Sequence, residues 1–395
     1  MREYSNRIFL PGNQYLIIFL TYLSSFAPLS TDMYLPALPI MAKSLHTTDE
    51  LVTYSMTSFF LIYAFASLFW GPVSDKYGRK KVLVYGSLIY ILACVWIAMT
   101  DSIWWLLFMR GMQAIGCAAA SAMSLAIIKD VLKGRMMEKI VSFMQAAHIL
   151  APLCAPLIGG LLLYVTTWRG VFWAQALCGA ISLAGAYCLK ETRRCRESLT
   201  LGKAFLRMKA VLANRDFLKP WLLFSAMTMP FMSYLAVSTF VYQQQFSLSP
   251  QAFSLFFALN AAFSLAAPLA HLYWFSHSSR ARVISLELLG ACVFGILIFC
   301  LGSLGPWWFA CLMLPVTFCG GALRPPSTVI MMEANKGDNG AVSALIQCGA
   351  LLFASFSMFL APLAFWPNPV IAIGTIAALV SGICFLGWQR IKQAH

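Results

Sequence analysis

Charged side chains are scarce in this chain of 395 residues. Asp, Glu, Lys and Arg make up 11% of it, whereas a soluble domain has about 25%. Apolar residues make up 60%, more than a soluble fold of this length could cover. The apolar runs also lack two-residue alternation, which indicates membrane-spanning helices rather than strands. The composition therefore predicts an integral membrane protein.

The sequence also lacks the signatures of enzyme and metal chemistry. It contains no nucleophile elbow, phosphate-binding loop or HExxH helix. Its twelve cysteines and five histidines show no metal-ligand spacing. We therefore expect no catalytic residue, metal or cofactor. A membrane-embedded enzyme or sensor would need a polar constellation near one membrane face, and it is kept only as a remote alternative.

Apolar runs recur along the whole chain at intervals of about 30 residues, and each is long enough to cross the hydrocarbon core as a helix. The first run is too long for a signal peptide and no cleavage site follows it, so we expect a span there as well. The predicted spans are 14–38, 51–73, 82–100, 104–127, 137–165, 171–189, 220–243, 253–275, 283–303, 306–330, 339–363 and 368–390.

One long polar interval divides the spans into two sets of six. The predicted organisation is an N-terminal lobe at 1–189, a cytoplasmic linker at 190–219 and a C-terminal lobe at 220–395. This division is typical of duplicated transporters. The interval also contains an amphipathic basic segment at 201–212, for which a helix on the membrane surface and a solvated linker remain equal alternatives.

The net charge of +14 has a one-sided distribution. Nearly all Lys and Arg residues fall in alternate loops, and the opposite loops hold only Lys43 and Arg169. The positive-inside rule places both termini in the cytoplasm. We therefore attribute the charge to membrane topology, and we expect no nucleic-acid partner.

The loop after span two carries a specific pattern. Residues 71–81 read Gly-Pro-Val-Ser-Asp-Lys-Tyr-Gly-Arg-Lys-Lys. An ordinary positive-inside loop explains the cations but not the two glycines and the aspartate. The pattern resembles the loop signature of the major facilitator superfamily, with Val73 in place of Leu. The resemblance implies that Asp75 engages the start of span eleven and nearby basic groups. The expected conformational-switch residues are Gly71, Asp75, Gly78, Arg79 and Lys80.

Span four contains an arginine, Arg110, which is costly in a membrane helix and marks a function or a specific partner by default. Residues 110–116 resemble the R-x-x-Q-G-x-G signature of proton-coupled exporters in the same superfamily, with Ala114 in place of a glycine. The resemblance assigns Arg110 to proton coupling. The structural alternative is that Arg110 pairs with backbone carbonyls and braces the bundle.

Span five resembles the antiporter signature of the same exporters. Proline and small residues let a helix bend and approach its neighbours closely. Two glycines of the signature are replaced, by Ala146 and Ala155. The resemblance favours export over uptake, and generic small-residue packing is the alternative. The residues assigned to this antiporter helix are Pro152, Pro156, Gly159 and Gly160.

Span one carries Asp32, the one acidic residue that we place within the first six spans. Desolvation favours the neutral form of a lone carboxylate there, which makes Asp32 a candidate proton carrier. Residues 31–39, Thr-Asp-Met-Tyr-Leu-Pro-Ala-Leu-Pro, resemble the span-one signature of the Bcr/CflA drug-resistance subfamily. Relatives with a second acid in this span have it where this chain has Ser24. An interfacial position near the outer end is the alternative for Asp32.

The second set of spans is almost uncharged. We expect Glu287, Arg324 and Glu333 at the membrane interface, near the ends of spans nine and ten. Span seven is rich in Met and aromatic residues, which suit a pocket for varied apolar ligands, although packing against lipid or core remains the stronger alternative. The candidate substrate contacts are Tyr34, Gln113, Met229, Met232, Tyr234 and Tyr242.

Together these patterns predict an all-α integral membrane protein with twelve transmembrane helices in two six-helix lobes. The predicted function is proton-coupled export of small apolar or cationic drugs across the bacterial inner membrane by alternating access. Its expected partners are the drug-like substrate, protons and the lipid bilayer, and the expected oligomeric state is a monomer. The main alternative is a facilitator-superfamily carrier of a physiological solute, such as a sugar, an amino acid or another metabolite.

Overall fold

A computed structural model describes residues 14–132, 134–192, 201–274, 279–335 and 339–393. Within these ranges the regular structure is helical, and eleven helical stretches are long and apolar enough to cross a membrane. A bent pair of helices near the N-terminus makes twelve if it is counted as one span. The predicted all-α, twelve-helix architecture is confirmed.

The first six spans form one lobe. Span one is divided into α1 (Gln14–Ser24), α2 (Phe26–Asp32), a 3₁₀ turn (Leu35–Ala37) and α3 (Leu38–Ser44). The remaining five spans of this lobe are single helices. They are α4 (Asp49–Tyr77), α5 (Arg79–Met99), α6 (Ile103–Val131), α7 (Gly134–Val165) and α8 (Trp168–Cys188).

The second lobe follows a short amphipathic helix, α9 (Leu201–Ala213). This helix packs Val211 into the apolar core of the second lobe and also contacts α4 of the first lobe. Span seven consists of α10 (Arg215–Ala226) and α11 (Met229–Phe240), extended by a π-turn (Val241–Gln245). The other spans are α12 (Pro250–Trp274), α13 (Arg280–Leu301), α14 (Pro306–Glu333), α15 (Asn339–Leu360) and α16 (Pro369–Gln393).

The break in span one follows from Pro28. A proline has no amide hydrogen, so the carbonyl four residues earlier, that of Ser24, loses its helical partner. The chain bends there by 42°. The imidazole of His148 on α7 takes the place of the missing donor, since its Nδ1 lies 2.8 Å from the Ser24 carbonyl oxygen. A backbone group freed inside a membrane helix is thereby satisfied by a neighbouring helix.

The two ends of the bundle differ in charge. We call the end that carries Lys76, Lys129, Lys190 and Lys392 the basic end. Exposed tryptophans mark the opposite end, where aromatic side chains suit a membrane–water interface. They are Trp96, Trp104, Trp105, Trp307 and Trp308.

The lobes contact one another toward the opposite end. The side-chain amide of Gln243 donates to the Pro36 carbonyl at 2.9 Å, which joins span seven to span one. The rings of Tyr54 on α4 and Phe359 on α15 stack with centroids 5.2 Å apart. Toward the basic end, by contrast, the side chains of His148 and Arg324 are solvent-exposed although both lie far from the ends of their helices. The structure is therefore closed at the opposite end and open at the basic end.

Candidate functional site

Asp32 is the last residue of α2 and lies inside the first lobe. Its side chain is 4% exposed, and the Thr31 hydroxyl donates a hydrogen bond of 2.8 Å to one carboxylate oxygen. Residues 35–44 continue the span beyond it in helical form. Asp32 is thus buried well before the end of the span, rather than interfacial as the alternative had it.

The guanidinium of Arg110 is fully buried between two aromatic rings. Its central carbon lies 4.3 Å from the ring centroid of Tyr34 and 4.6 Å from that of Phe59. One terminal nitrogen donates to the Ser30 carbonyl at 3.3 Å and to the side-chain oxygen of Gln113. The other terminal nitrogen and Nε are buried without a hydrogen-bond partner in the described structure. Arg110 therefore retains donors that a ligand or a carboxylate could use.

A chain of amides fixes this arginine to span one. The Gln113 amide donates to the Gln175 side-chain oxygen at 2.8 Å, and the Gln175 amide donates to the Ser30 carbonyl at 3.1 Å. The Ser30 carbonyl thus accepts from both Arg110 and Gln175, two residues before Asp32. Gln175 was missed in the sequence because it stands alone in an apolar span, where a single polar residue has no motif around it.

Asp32 and Arg110 are both neighbours of Tyr34, but they are not paired with each other. Within the described residues they form no salt bridge. The ring of Tyr34, two residues after Asp32, packs on the Arg110 guanidinium, and its hydroxyl lies 3.0 Å from the Ser55 hydroxyl. The link between the two predicted coupling residues is span one itself, because Arg110 bonds the Ser30 carbonyl two residues before Asp32.

The predicted antiporter helix, α7, connects span one to the second lobe. A Cβ atom built at Gly159 would collide with the Met33 carbonyl, next to Asp32. A Cβ atom built at Gly160 would lie 2.7 Å from the Ser254 hydroxyl of α12. That hydroxyl also donates to the Pro156 carbonyl at 2.9 Å. Glycine is required at 159 because backbone approaches backbone there, whereas a side chain at 160 would meet the Ser254 hydroxyl. Pro152 is half-buried one turn earlier.

The loop between α4 and α5 is held by ion pairs. The Arg79 guanidinium lies 2.7 Å from the Asp75 carboxylate and 2.9 Å from that of Asp130 at the end of α6. It also donates to the Ser74 hydroxyl. The engagement of Asp75 with the start of span eleven remains a prediction, since residues 336–338 lie outside the described part of the chain.

Gly78 and Glu191 complete this loop. Gly78 has φ +101°, a conformation that favours glycine, and a Cβ atom there would collide with the Glu191 carboxylate. That carboxylate accepts from the backbone amides of Arg79 at 2.9 Å and Lys80 at 3.2 Å. A carboxylate at the free amides of a helix start is favourable. Glu191, which follows α8 at the end of the first lobe's sequence, therefore caps the start of α5. Gly71, by contrast, makes no comparable close approach to another residue.

We expect Asp75→Asn to lower transport without removing the protein from the membrane. The substitution removes one of the two carboxylates that hold Arg79. Because a hydrogen bond to a charged group contributes about 1.5–3 kcal/mol, transport should fall by roughly ten-fold if this ion pair stabilises one conformational state. The measurement is initial transport rate divided by the amount of protein. Asp101→Asn, the same chemical change at the opposite end, is the control, and equal rates in both variants would contradict the prediction.

The remaining candidate substrate contacts form part of an aromatic cluster in the second lobe. Tyr234 stacks on Phe257, and Tyr242 stacks on Phe256, with centroids 5.9 and 4.9 Å apart. Both tyrosines and Met229 are buried, while Met232 is half-buried. Both tyrosine hydroxyls are buried without a hydrogen-bond partner in the described structure.

A pocket opens beside this cluster, between spans seven, eight and ten. Its lining includes Met227, Phe231, Thr317 and Arg324. Arg324 lies nine residues before the end of α14, which corresponds to about 14 Å along the helix axis. The interfacial position expected from the sequence is therefore corrected for Arg324. Glu287, also expected at the interface, is 6% exposed and packs within the second lobe.

The family model of the Major Facilitator Superfamily matches residues 15–350. The chain belongs to the major facilitator superfamily. This assignment confirms the family that the loop, span-four and span-five motifs predicted, and it identifies a transporter fold rather than an enzyme.

Several curated superfamily members are similar in sequence. An uncharacterized MFS-type transporter of Bacillus subtilis, YdgK, is 32% identical over 62% of both chains. A bicyclomycin resistance protein homolog of Haemophilus influenzae is 33% identical over 42% of both chains. The multidrug transporter MdfA of Yersinia pestis is 31% identical over 54% of this chain and 52% of that one. The matches therefore span about two-fifths to three-fifths of these relatives.

Solved superfamily structures share the whole fold at low sequence identity. A peptide transporter in complex with sulfate superposes with a TM-score of 0.77 and 14% identity, covering 95% of this chain and 94% of that one. A bacterial homolog of the lysosomal transporter Spinster superposes with a TM-score of 0.73 and 16% identity, covering 97% and 98%. These likenesses concern the fold alone.

Proposed function

We propose that this protein exports small drug-like molecules in exchange for protons by alternating access. It acts in the bacterial inner membrane, as a monomer, with both termini in the cytoplasm. The similarity to relatives named for multidrug and bicyclomycin resistance supports a drug-like cargo. The orientation rests on the Lys and Arg residues at the basic end.

The observation that carries the proposal is the polar group around Asp32 and Arg110. A carboxylate that is 4% exposed, with a neutral hydroxyl as its hydrogen-bond donor, is costly in its ionised form. A nearby guanidinium with two unpartnered nitrogens offers compensation whenever the two groups approach. Such a pair can bind a proton in one arrangement and release it in another.

The closed opposite end and the open basic end describe one state of an alternating-access cycle. The helix α7 touches the backbone beside Asp32 at Gly159 and the second lobe at Gly160. A change of charge at Asp32 is therefore communicated by packing to the contact between the lobes. Proton and cargo are coupled because both bias the same equilibrium between inward-open and outward-open states.

The function is tested with the purified protein in proteoliposomes. An imposed pH gradient should drive cargo accumulation against its concentration gradient, and added cargo should release protons. A panel of cationic, neutral and anionic aromatic compounds covers the range of drug-like substrates. Sugars and amino acids in the same assay test the alternative of a physiological solute carrier. Movement of these solutes alone, or transport independent of pH, would contradict the proposal.

Topology provides an independent prediction. A cytoplasm-active reporter fused after His395, or inserted within 190–219, should be active, because positive loops stay inside. The same reporter inserted beside Asp101, at the opposite end, should be silent and serves as the control. Activity beside Asp101 together with silence at the other two sites would reverse the orientation.

A further inference from the structure

The pocket of the second lobe has a polar stripe on one face of α14. Residues 317, 320, 321, 324 and 327 follow helical spacing of three and four, so their side chains share one face of the helix. The stripe has three polar side chains, those of Thr317, Arg324 and Ser327, with Gly320 and Gly321 between them. Apolar groups of span seven, including Met227 and Phe231, face it across the pocket. The pocket thus combines one cationic edge with an apolar wall.

Arg324 is the charged group of this pocket. Its side chain is exposed and lines the pocket, about 14 Å along the axis from the basic end of α14. No carboxylate of the described residues pairs with it, unlike Arg79, Arg169 and Arg280, each of which has an acidic partner. A cation at membrane depth is expensive unless water, a protein partner or a ligand compensates it. The guanidinium is therefore available to a ligand.

Thr317 is a second, independent indication of a ligand site. Its side chain is 3% exposed and lines the pocket, yet its hydroxyl has no hydrogen-bond partner in the described structure. Buried polar groups are normally satisfied, so an unpaired hydroxyl in a pocket calls for a partner from outside the chain. Gly320 adds space, since a Cβ atom there would meet nothing within 4 Å.

His148 brings a further polar group of the first lobe toward this region. Its Nδ1 donates to the Ser24 carbonyl, which leaves Nε2 for another contact. His148 and Arg324, one from each lobe, are both exposed and both lie well inside their helices in the basic half of the structure. In the described structure, Asp32 and Glu287 are buried within their own lobes.

From this arrangement we infer that the second-lobe pocket binds the anionic group of an aromatic cargo molecule, such as an aryl carboxylate. The guanidinium of Arg324 receives the carboxylate, the Thr317 hydroxyl donates to it, and the Met227 and Phe231 side chains pack against the ring. The inference rests on the proposed export function and names the cargo class. It departs from the cationic cargo that the sequence suggested, because an unpaired guanidinium repels a second cation.

Two probes that share one ring system test the inference. They are 2-naphthoate and (2-naphthylmethyl)trimethylammonium, which carry opposite charges at neutral pH. Binding is measured by equilibrium dialysis with the full chain in nanodiscs, after subtraction of empty discs. Uptake into proteoliposomes under a pH gradient is measured separately. We expect the protein to bind naphthoate at least about ten-fold more tightly than the ammonium probe, because a guanidinium–carboxylate hydrogen bond is charge-assisted.

Four variants at three positions locate the preference for the anionic probe. Arg324→Ala should remove the preference for the anion, and Arg324→Lys should keep part of it, since Lys lacks the planar fork. Thr317→Val removes only the hydroxyl and should weaken naphthoate binding several-fold. Gly320→Leu fills the open space and should weaken both probes. The matched control is Arg390→Ala, an exposed arginine at the end of α16, which should keep the parental ratio.

The possible outcomes distinguish a failure of the inferred cargo class from a failure of the proposed export function. Tighter binding of the ammonium probe, or an unchanged ratio in Arg324→Ala and Thr317→Val, would overturn the inference. If the ammonium probe is carried against its gradient in exchange for protons, the export function stands while the cargo class fails. If naphthoate binds with the expected variant pattern but no probe is moved by a pH gradient, the pocket stands while the export function fails.

Discussion

Asp32→Asn should abolish proton-coupled transport. The substitution keeps the size and the hydrogen bond to Thr31 but removes the titrating group from a site that is 4% exposed. Cargo-dependent proton release in proteoliposomes should fall to the level of empty liposomes, and accumulation driven by a pH gradient should disappear. Cargo binding should survive in part, because apolar contacts contribute much of the affinity in such pockets.

Two further variants, Asp32→Glu and the control Asp101→Asn, sharpen this test. The longer acid keeps a titrating group in a displaced position, so partial activity with a shifted pH dependence is expected. Asp101→Asn at the opposite end should behave like the parental protein. If Asp32→Asn still exchanges protons for cargo at the parental rate, another group carries the proton. Glu287, buried in the second lobe, would then be the next residue to substitute.

Arg110→Lys should be nearly as inactive as Arg110→Ala. The guanidinium stacks between Tyr34 and Phe59 and bonds the Ser30 carbonyl and Gln113 at the same time. A lysine ammonium cannot stack as a plane or reach two acceptors in this geometry. Loss of one charged hydrogen bond, about 1.5–3 kcal/mol, corresponds to roughly 10- to 100-fold in rate. The measurement is coupled efflux per molecule of protein.

Folding and function must be separated for this buried residue. The amount and monodispersity of solubilised protein report on folding, while proton release on cargo addition reports on coupling. Arg390→Ala controls for the loss of a positive charge. A Lys variant with full activity would show that only charge is required at position 110. A variant that is absent from the membrane would instead support the bracing role that the sequence left open.

The class and architecture of the protein follow from local sequence. Apolar runs of about 20 residues predict spans because each helix satisfies its own backbone in lipid, wherever its neighbours lie. The motifs were also readable because their residues are close together, as in the loop at 71–81 and the segment at 110–116. Asp32 and Arg110 lie within the spans predicted for them, whereas Asp75, predicted in the loop after span two, lies inside α4.

Helix ends were harder to predict than spans. The predicted seventh span begins at 220, whereas α10 begins at Arg215, and the predicted second span ends at 73, whereas α4 ends at Tyr77. Hydropathy detects the lipid-buried part of a helix, but a helix continues into water as long as its backbone bonds and caps are available. The start of α5 is an example, because the carboxylate that caps it belongs to Glu191, more than 100 residues away in the sequence.

Only the tertiary structure decided which polar groups meet. Pro28 in span one predicts a free carbonyl, but the folded chain determines that His148 satisfies it. The rotation of each helix about its axis brings Gln175 into the hydrogen-bond network of Arg110. It also brings Asp130 next to Arg79. The orientation of α14 likewise places Arg324 in the lining of a pocket. Sequence determines what each helix contains, whereas packing between helices determines which of its faces meets a partner, a cavity or lipid.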